Sequence, residues 1–124
     1  MIAFAATLGL AEETSFNHVR APNQKGKLVK AVLTFSDKSK ALEVRPAKGD
    51  PVTIAYGQID KCAYEFSNGL MNTRDYWLEV HYRVQDVPKV FVLHMDRHNY
   101  LRILDALKAH TGIDAEILGN AKKR

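Results

Sequence analysis

The sequence predicts an α+β domain: a curled antiparallel β-sheet of six to seven strands, arranged as a barrel or an orthogonal sandwich and capped by one C-terminal α-helix. Three observations predict it. Short segments with apolar residues at every second position follow one another from Lys27 to Met95. Turns of hairpin length, rich in Gly, Pro, Asn and Ser, separate them. A single stretch, "MDRHNYLRILDALKAHTG" from Met95 to Gly112, carries the spacing of an amphipathic helix.

The elements follow in order. "MIAFAATLGLA" is apolar and then meets Glu12 and Glu13. It resembles the apolar core of a secretory signal without the basic residues that precede one, and is too short to span a bilayer. The expectation leans to export over the cytosol. Residues 14–26 read as a lead-in loop, with a short strand near Phe16 to Val19. "KLVKAVLTF" places Val29, Ala31, Leu33 and Phe35 on one face. "SDKSK" is a turn, and "ALEVRP" returns with Leu42 and Val44 inward until Pro46, which has no N–H for a sheet, ends it. "PVTIAY" alternates again. In "GQIDKCAYEF" the apolar parity slips between Ile59 and Cys62, which predicts a bulge near Asp60 and Lys61. Asn68-Gly69 is the strongest turn pair. "YWLEVHYRV" is the cleanest strand, and "KVFVLHM" reads as a strand buried on both sides.

The helix opens with Asp96 as the expected N-cap. Tyr100, Ile103, Leu104 and Leu107 form its apolar strip. Lys108 and His110 suit the negative end of the helix dipole, and Gly112 suits a left-handed C-terminal cap with Ile113 folding back. No second strong helix exists to cover the strip, so the sheet must.

A chain of 124 residues with 46% apolar and 26% charged content reads as one globular domain. Its boundaries read as an N-terminal segment over 1–24, the domain over 25–118 and a basic tail over 119–124. The lone Cys62 excludes an internal disulfide and reads as a buried, inert thiol. The net charge of +4 is uneven: eight basic residues between Arg20 and Lys48 face only Asp37 and Glu43. Such a patch attracts anions or simply solvates a surface.

The pieces "GKLVKAVLTFSDKSKALEV", "VTIAYGQIDKCAYEF" and "DRHNYLRILDALKAHTG" resemble the pleckstrin-homology-like (PH-like) superfamily, especially its bacterial PH-like and GRAM-like domains. The resemblance covers roughly residues 25–113 and rests on the order of elements more than on any residue. It implies a non-catalytic binding module. It also implies an anionic lipid or phosphate site on the first two strands and their turn, where Lys30, Lys38, Lys40 and Arg45 stand. Glu43 occupies the place where the lipid-binding signature wants a basic residue before Arg45.

No catalytic or nucleotide-binding motif is present, so an enzyme is not expected, and no cofactor or metal is expected. His94 and His98 straddle the expected cap, and His81 lies across from His94 only if their strands pair in that register. Trp77 falls on the outer face of its strand, where it is either an interaction residue or covered by the N-terminal segment. Phe35 is the only aromatic near the basic patch and points inward, which argues against nucleic acid. Three readings follow: a module for a protein partner or self-association, an anionic lipid or phosphate binder, and a carrier with a small apolar pocket.

Overall fold

A computed structural model describes residues 13–68 and 74–118. The apolar stretch 1–11, Gly69 of the expected turn and the basic tail 119–124 lie outside the described residues. The strands are β1 (Glu13–Pro22), β2 (Leu28–Ser36), β3 (Ala41–Pro46), β4 (Val52–Ala55), β5 (Ile59–Asn68), β6 (Arg74–Val84) and β7 (Val87–Met95). Helix α1 (Tyr100–Thr111) and a last short strand, β8 (Glu116–Leu118), complete the chain. They form one eight-stranded sheet in the order β4-β3-β2-β1-β7-β6-β5-β8. It is curled, mixed and unclosed, with α1 against its concave side.

The sheet consists of two antiparallel meanders, β1–β4 and β5–β7. They meet where β1 pairs with β7 through Val19 opposite Met95 and Arg20 opposite His94. Turn chemistry sets the hairpins. Asn23 Oδ1 accepts from the backbone N–H groups of Lys25 and Lys27, and Gly26 supplies the left-handed backbone before β2. Gln85 and Asp86, both at positive φ, close the β6–β7 hairpin.

Three expectations change, and one strand was not foreseen. The stretch read as a lead-in loop is a ten-residue strand at the centre of the sheet. A register shift between Phe16 and Val19 moves the inward set from even to odd positions, which hides the alternation from a period-two reading. Strand β7 is covered on one side only: Phe91, Leu93 and Met95 are buried, whereas Val90 is 54% exposed. The helix fills the concave face, and among the described residues no second layer lies outside. Strand β8, parallel to β5, is too short to carry a period. Helix α1 begins after Asn99, not at Asp96. Asp96 instead heads a separate turn. Its carboxylate accepts from the His98 N–H, and Asn99 Oδ1 accepts from the Asp96 N–H at 3.0 Å. Asn99 Nδ2 also donates to the His18 carbonyl at 3.1 Å, tying this turn to the β1 bulge.

The helix strip packs as its spacing requires. Ile103 and Leu107 are fully buried, and Tyr100, Leu104 and Ile113 pack against the same core. Burying each large aliphatic side chain contributes about 1.5–3 kcal/mol. Gly112, at φ 78°, ends α1 in the left-handed conformation and donates its N–H to the Lys108 carbonyl. The expected bulge in β5 falls between Ile59 and Lys61.

Candidate functional site

Strand alternation puts every second side chain on the convex face, opposite the helix. Register then aligns Lys30 of β2, Arg20 of β1, His94 of β7 and Trp77 of β6 in one row across four adjacent strands. At the usual strand separation the row runs about 14 Å. A cleft of about 350 Å³ opens along its basic half, lined by Asn17, His18, Arg20, Lys30, His94 and Asp96. The β1 bulge sits at its edge and turns Asn17 and His18 toward it.

The aromatic half is held in place. Trp77 meets His94 edge to face, with ring centroids 4.8 Å apart and planes at 76°. His94 Nε2 lies 3.0 Å from Asp75 Oδ1, which orients the imidazole beneath the indole. Farther along β6, Glu79 pairs with His81 at 3.0 Å, and Arg83 donates to Asp60 of β5 at 2.9 Å. The β6–β7 register sets His81 opposite Val90 and His94 opposite Trp77, so the two histidines do not face each other. Among the described residues no group of three His, Cys, Asp or Glu side chains converges on a metal position.

The four cations implied by the resemblance separate. Lys30 stands in the row. Lys38 and Lys40 lie in the turn beyond the other end of β2, about 20 Å along the strand. Lys38 lines a different cleft, of about 490 Å³, with Glu13, Ser39, Glu43 and Thr53. Arg45 shares the outer face with Lys30, but its guanidinium donates to Glu43 at 3.1 Å. Sequence reasoning missed Arg20 and His94 as members of the row. Arg20 lay in a supposed loop, and only the β1–β7 pairing brings it to His94.

A second polar cluster was invisible in the sequence. His110, in the last turn of α1, directs Nδ1 to Asp37 Oδ1 at 2.7 Å and Nε2 to Thr14 Oγ1 at 2.9 Å. Its ring stacks on Phe35, with centroids 5.4 Å apart and planes at 4°. A carboxylate only accepts, so Nδ1–H donates to Asp37; in the neutral tautomer Nε2 accepts from the Thr14 hydroxyl. The order carboxylate–imidazole–hydroxyl is that of a hydrolytic relay. Yet none of the three described clefts is lined by Asp37, His110 or Thr14. The cluster instead joins β1, the β2–β3 turn and α1. Nearby, burial first and the Asp37 carboxylate second push Tyr56 up to about 12, and the Ser36 backbone offsets this only in part. The Tyr56 hydroxyl makes no well-formed hydrogen bond among the described residues. Cys62 is buried, and burial pushes its thiol up to about 11, which leaves it a poor nucleophile.

Among the described residues no helix is long and apolar enough to cross a membrane. No family model and no curated protein matches the sequence. Solved structures match the fold. A chain in the structure of the Spt16D–Pob3N heterodimer is similar over 92% of this chain, at a TM-score of 0.62 and 18% identity. The match spans 64% of that chain's own length. At this identity the likeness concerns architecture alone. A curled sheet capped by a C-terminal helix, matched over nearly its whole length by that neighbour, makes the fold of this chain PH-like.

Proposed function

We propose that the chain is a non-catalytic binding module that docks another polypeptide, a different protein or a second copy of itself, on the outer face of β6 and β7. The observation that carries the reading is the Trp77–His94–Asp75 assembly. A large aromatic side chain, only half-buried, is held on the solvent face by a neighbour that is itself oriented. Pre-oriented aromatics of this kind supply contact area with little further loss of side-chain freedom. Val92 and then Val90, which is 54% exposed, continue the same face along β7, Val90 about 13 Å from the register of Trp77. The PH-like neighbour belongs to a heterodimer, which agrees with a protein-binding use of the scaffold. The domain boundaries at 25 and 118 belong to this proposal, with β1 included as a sheet strand that precedes them.

Site-specific photo-crosslinking tests it. With benzoylphenylalanine in place of Val90, irradiation in cells of the source organism gives a covalent adduct to a polypeptide. The same group in place of Lys48, in the exposed β3–β4 turn, gives none. Trp77→Ala in the Val90-substituted chain removes the adduct. Irradiation that yields no polypeptide adduct, or an adduct indifferent to Trp77, overturns the reading.

A second reading, anion binding through the first hairpin, has one observation in its favour: Lys30 borders a cleft with Arg20. Against it, Lys38 and Lys40 lie about 20 Å along the strand from that cleft, and the Arg45 guanidinium is paired with Glu43.

A further inference from the structure

Arg20 and Lys30 stand directly opposite each other on the β1–β2 pair, both exposed. Like charges in that position destabilise a sheet. Elsewhere on the strands, Arg45 and Arg83 each carry a carboxylate partner, Glu43 and Asp60. Among the described residues neither Arg20 nor Lys30 has one within ion-pairing distance. Two cations without a described carboxylate partner therefore face each other in a cleft that reaches His94, and the held Trp77 stands next to His94 in the same row.

We infer that this row takes an extended acidic segment of a protein partner, its carboxylates on Arg20 and Lys30 and an apolar side chain against Trp77. The inference rests on the protein-docking reading above and names the chemistry of the partner. The row's length of about 14 Å matches roughly four residues of extended chain, at about 3.4 Å per residue. Arg20 offers a planar, forked donor set and Lys30 a point charge, both suited to carboxylates. The surrounding charge pattern favours a thread over a plane. Asp96 lines the same cleft, and Asp75, Glu79 and Glu65 stand on the outer face of the flanking strands. An anionic bilayer laid on this face would meet these carboxylates along with the two cations. A single chain can follow the cationic half alone. Nucleic acid would use a series of stacking aromatics, and Trp77 is the one aromatic in the row.

The experiment uses the full chain and a fluorescein-labelled peptide of alternating glutamate and serine ending in leucine. Fluorescence anisotropy reports binding, and the emission of the lone tryptophan reports the apolar contact. The expected result is saturable binding that weakens with added salt, with a shift in Trp77 emission. Arg20→Gln and Lys30→Gln each weaken it about tenfold, the size of one lost charge-assisted hydrogen bond. The glutamine version of the peptide does not bind. Arg20→Gln also leaves the melting temperature unchanged or raises it, because a like-charge pair is relieved. Equal binding of the glutamine peptide, or unchanged affinity in both variants, overturns the inference. So does a preference for phosphatidylserine vesicles or single-stranded DNA over the peptide. A polypeptide adduct at position 90 together with a peptide that fails to bind would sink only the acidic-segment inference. Peptide binding that depends on Arg20 and Lys30 but is indifferent to Trp77→Ala, with no adduct at position 90, would sink the docking reading at Trp77.

Discussion

The two ends of α1 are held to the sheet by different physics. At the N-terminal end, Tyr100 stacks on Tyr76 with ring centroids 4.0 Å apart and on Tyr64 at 5.7 Å, all on the β5–β6 side. At the C-terminal end, His110 reaches the other meander through Asp37 and Thr14 while stacking on Phe35. The first attachment is mostly apolar area, which tolerates small displacements. The second is directional and fails when one partner is lost. The described backbone pairing between the two meanders is the short β1–β7 contact, and the helix adds a second bridge, fastened to each meander by a different kind of contact. A module with a deformable joint on one side and a rigid one on the other is expected to open, when it opens, about the rigid end.

That comparison can be broken at its centre first. Ile103→Ala empties a fully buried site shared by both ends and is expected to cost about 3–4 kcal/mol in urea unfolding. A loss below about 1 kcal/mol would mean that the helix does not plug the sheet. Tyr100→Ala and His110→Ala separate the ends. The first is expected to cost about 2–3 kcal/mol, chiefly as lost packing. The second costs about 1–3 kcal/mol and leaves the Asp37 carboxylate and the Thr14 hydroxyl without the imidazole. Hydrogen exchange should show faster opening near Lys108 to Thr111 for His110→Ala and near the start of α1 for Tyr100→Ala. Identical exchange maps would show that the ends are not independent.

Alkaline titration gives the smallest effect and samples both ends together. Burial first, then the neighbouring Tyr100 and Tyr76, pushes Tyr64 up to about 12, and Tyr56 rises to the same value beside Asp37. In the folded state these phenols hold their protons to higher pH than in the unfolded chain. Their contribution is complete below about pH 10 and is lost as pH climbs toward 12, because the unfolded state then binds fewer protons. The buried Cys62 thiol adds a loss between about pH 9 and 11. Unfolding free energy should therefore fall across pH 9–12, and Cys62→Ala should remove the earliest part of the fall. Asp37→Asn should lower the Tyr56 titration and leave that of Tyr64 unmoved, as read by phenolate absorbance. A common shift of both would couple the two ends electrostatically.

Much of this was legible in the chain. The alternations of Ala31, Leu33 and Phe35 and of Tyr76, Leu78 and Val80, the slip at Ile59, the strip Tyr100-Ile103-Leu104-Leu107 and the glycine at 112 are local patterns, and each appears where its period or backbone requirement puts it. The central strand β1 escaped because its bulge reverses parity halfway. The helix starts later than Asp96 because Asp96 bonds Asn99 and His98 in a separate turn, which Asn99 also ties to the distant His18 carbonyl. For the candidate site, Trp77 and Lys30 could be singled out by face and charge. Arg20 and His94 could not, since their relevance comes from a pairing between the first strand and the last of the seven that precede the helix.

The sequence by itself determined the helix and the strands other than β1 and β8, and which face of each is apolar, because those properties depend on neighbours a few residues apart. Only the tertiary structure decided that Lys30, Arg20, His94 and Trp77 form one row and that His110 reaches Asp37 and Thr14. Strand order and register are settled by the burial of the whole core at once. No local pattern around residue 20 or residue 110 encodes the side chains that lie 74 or 96 positions away.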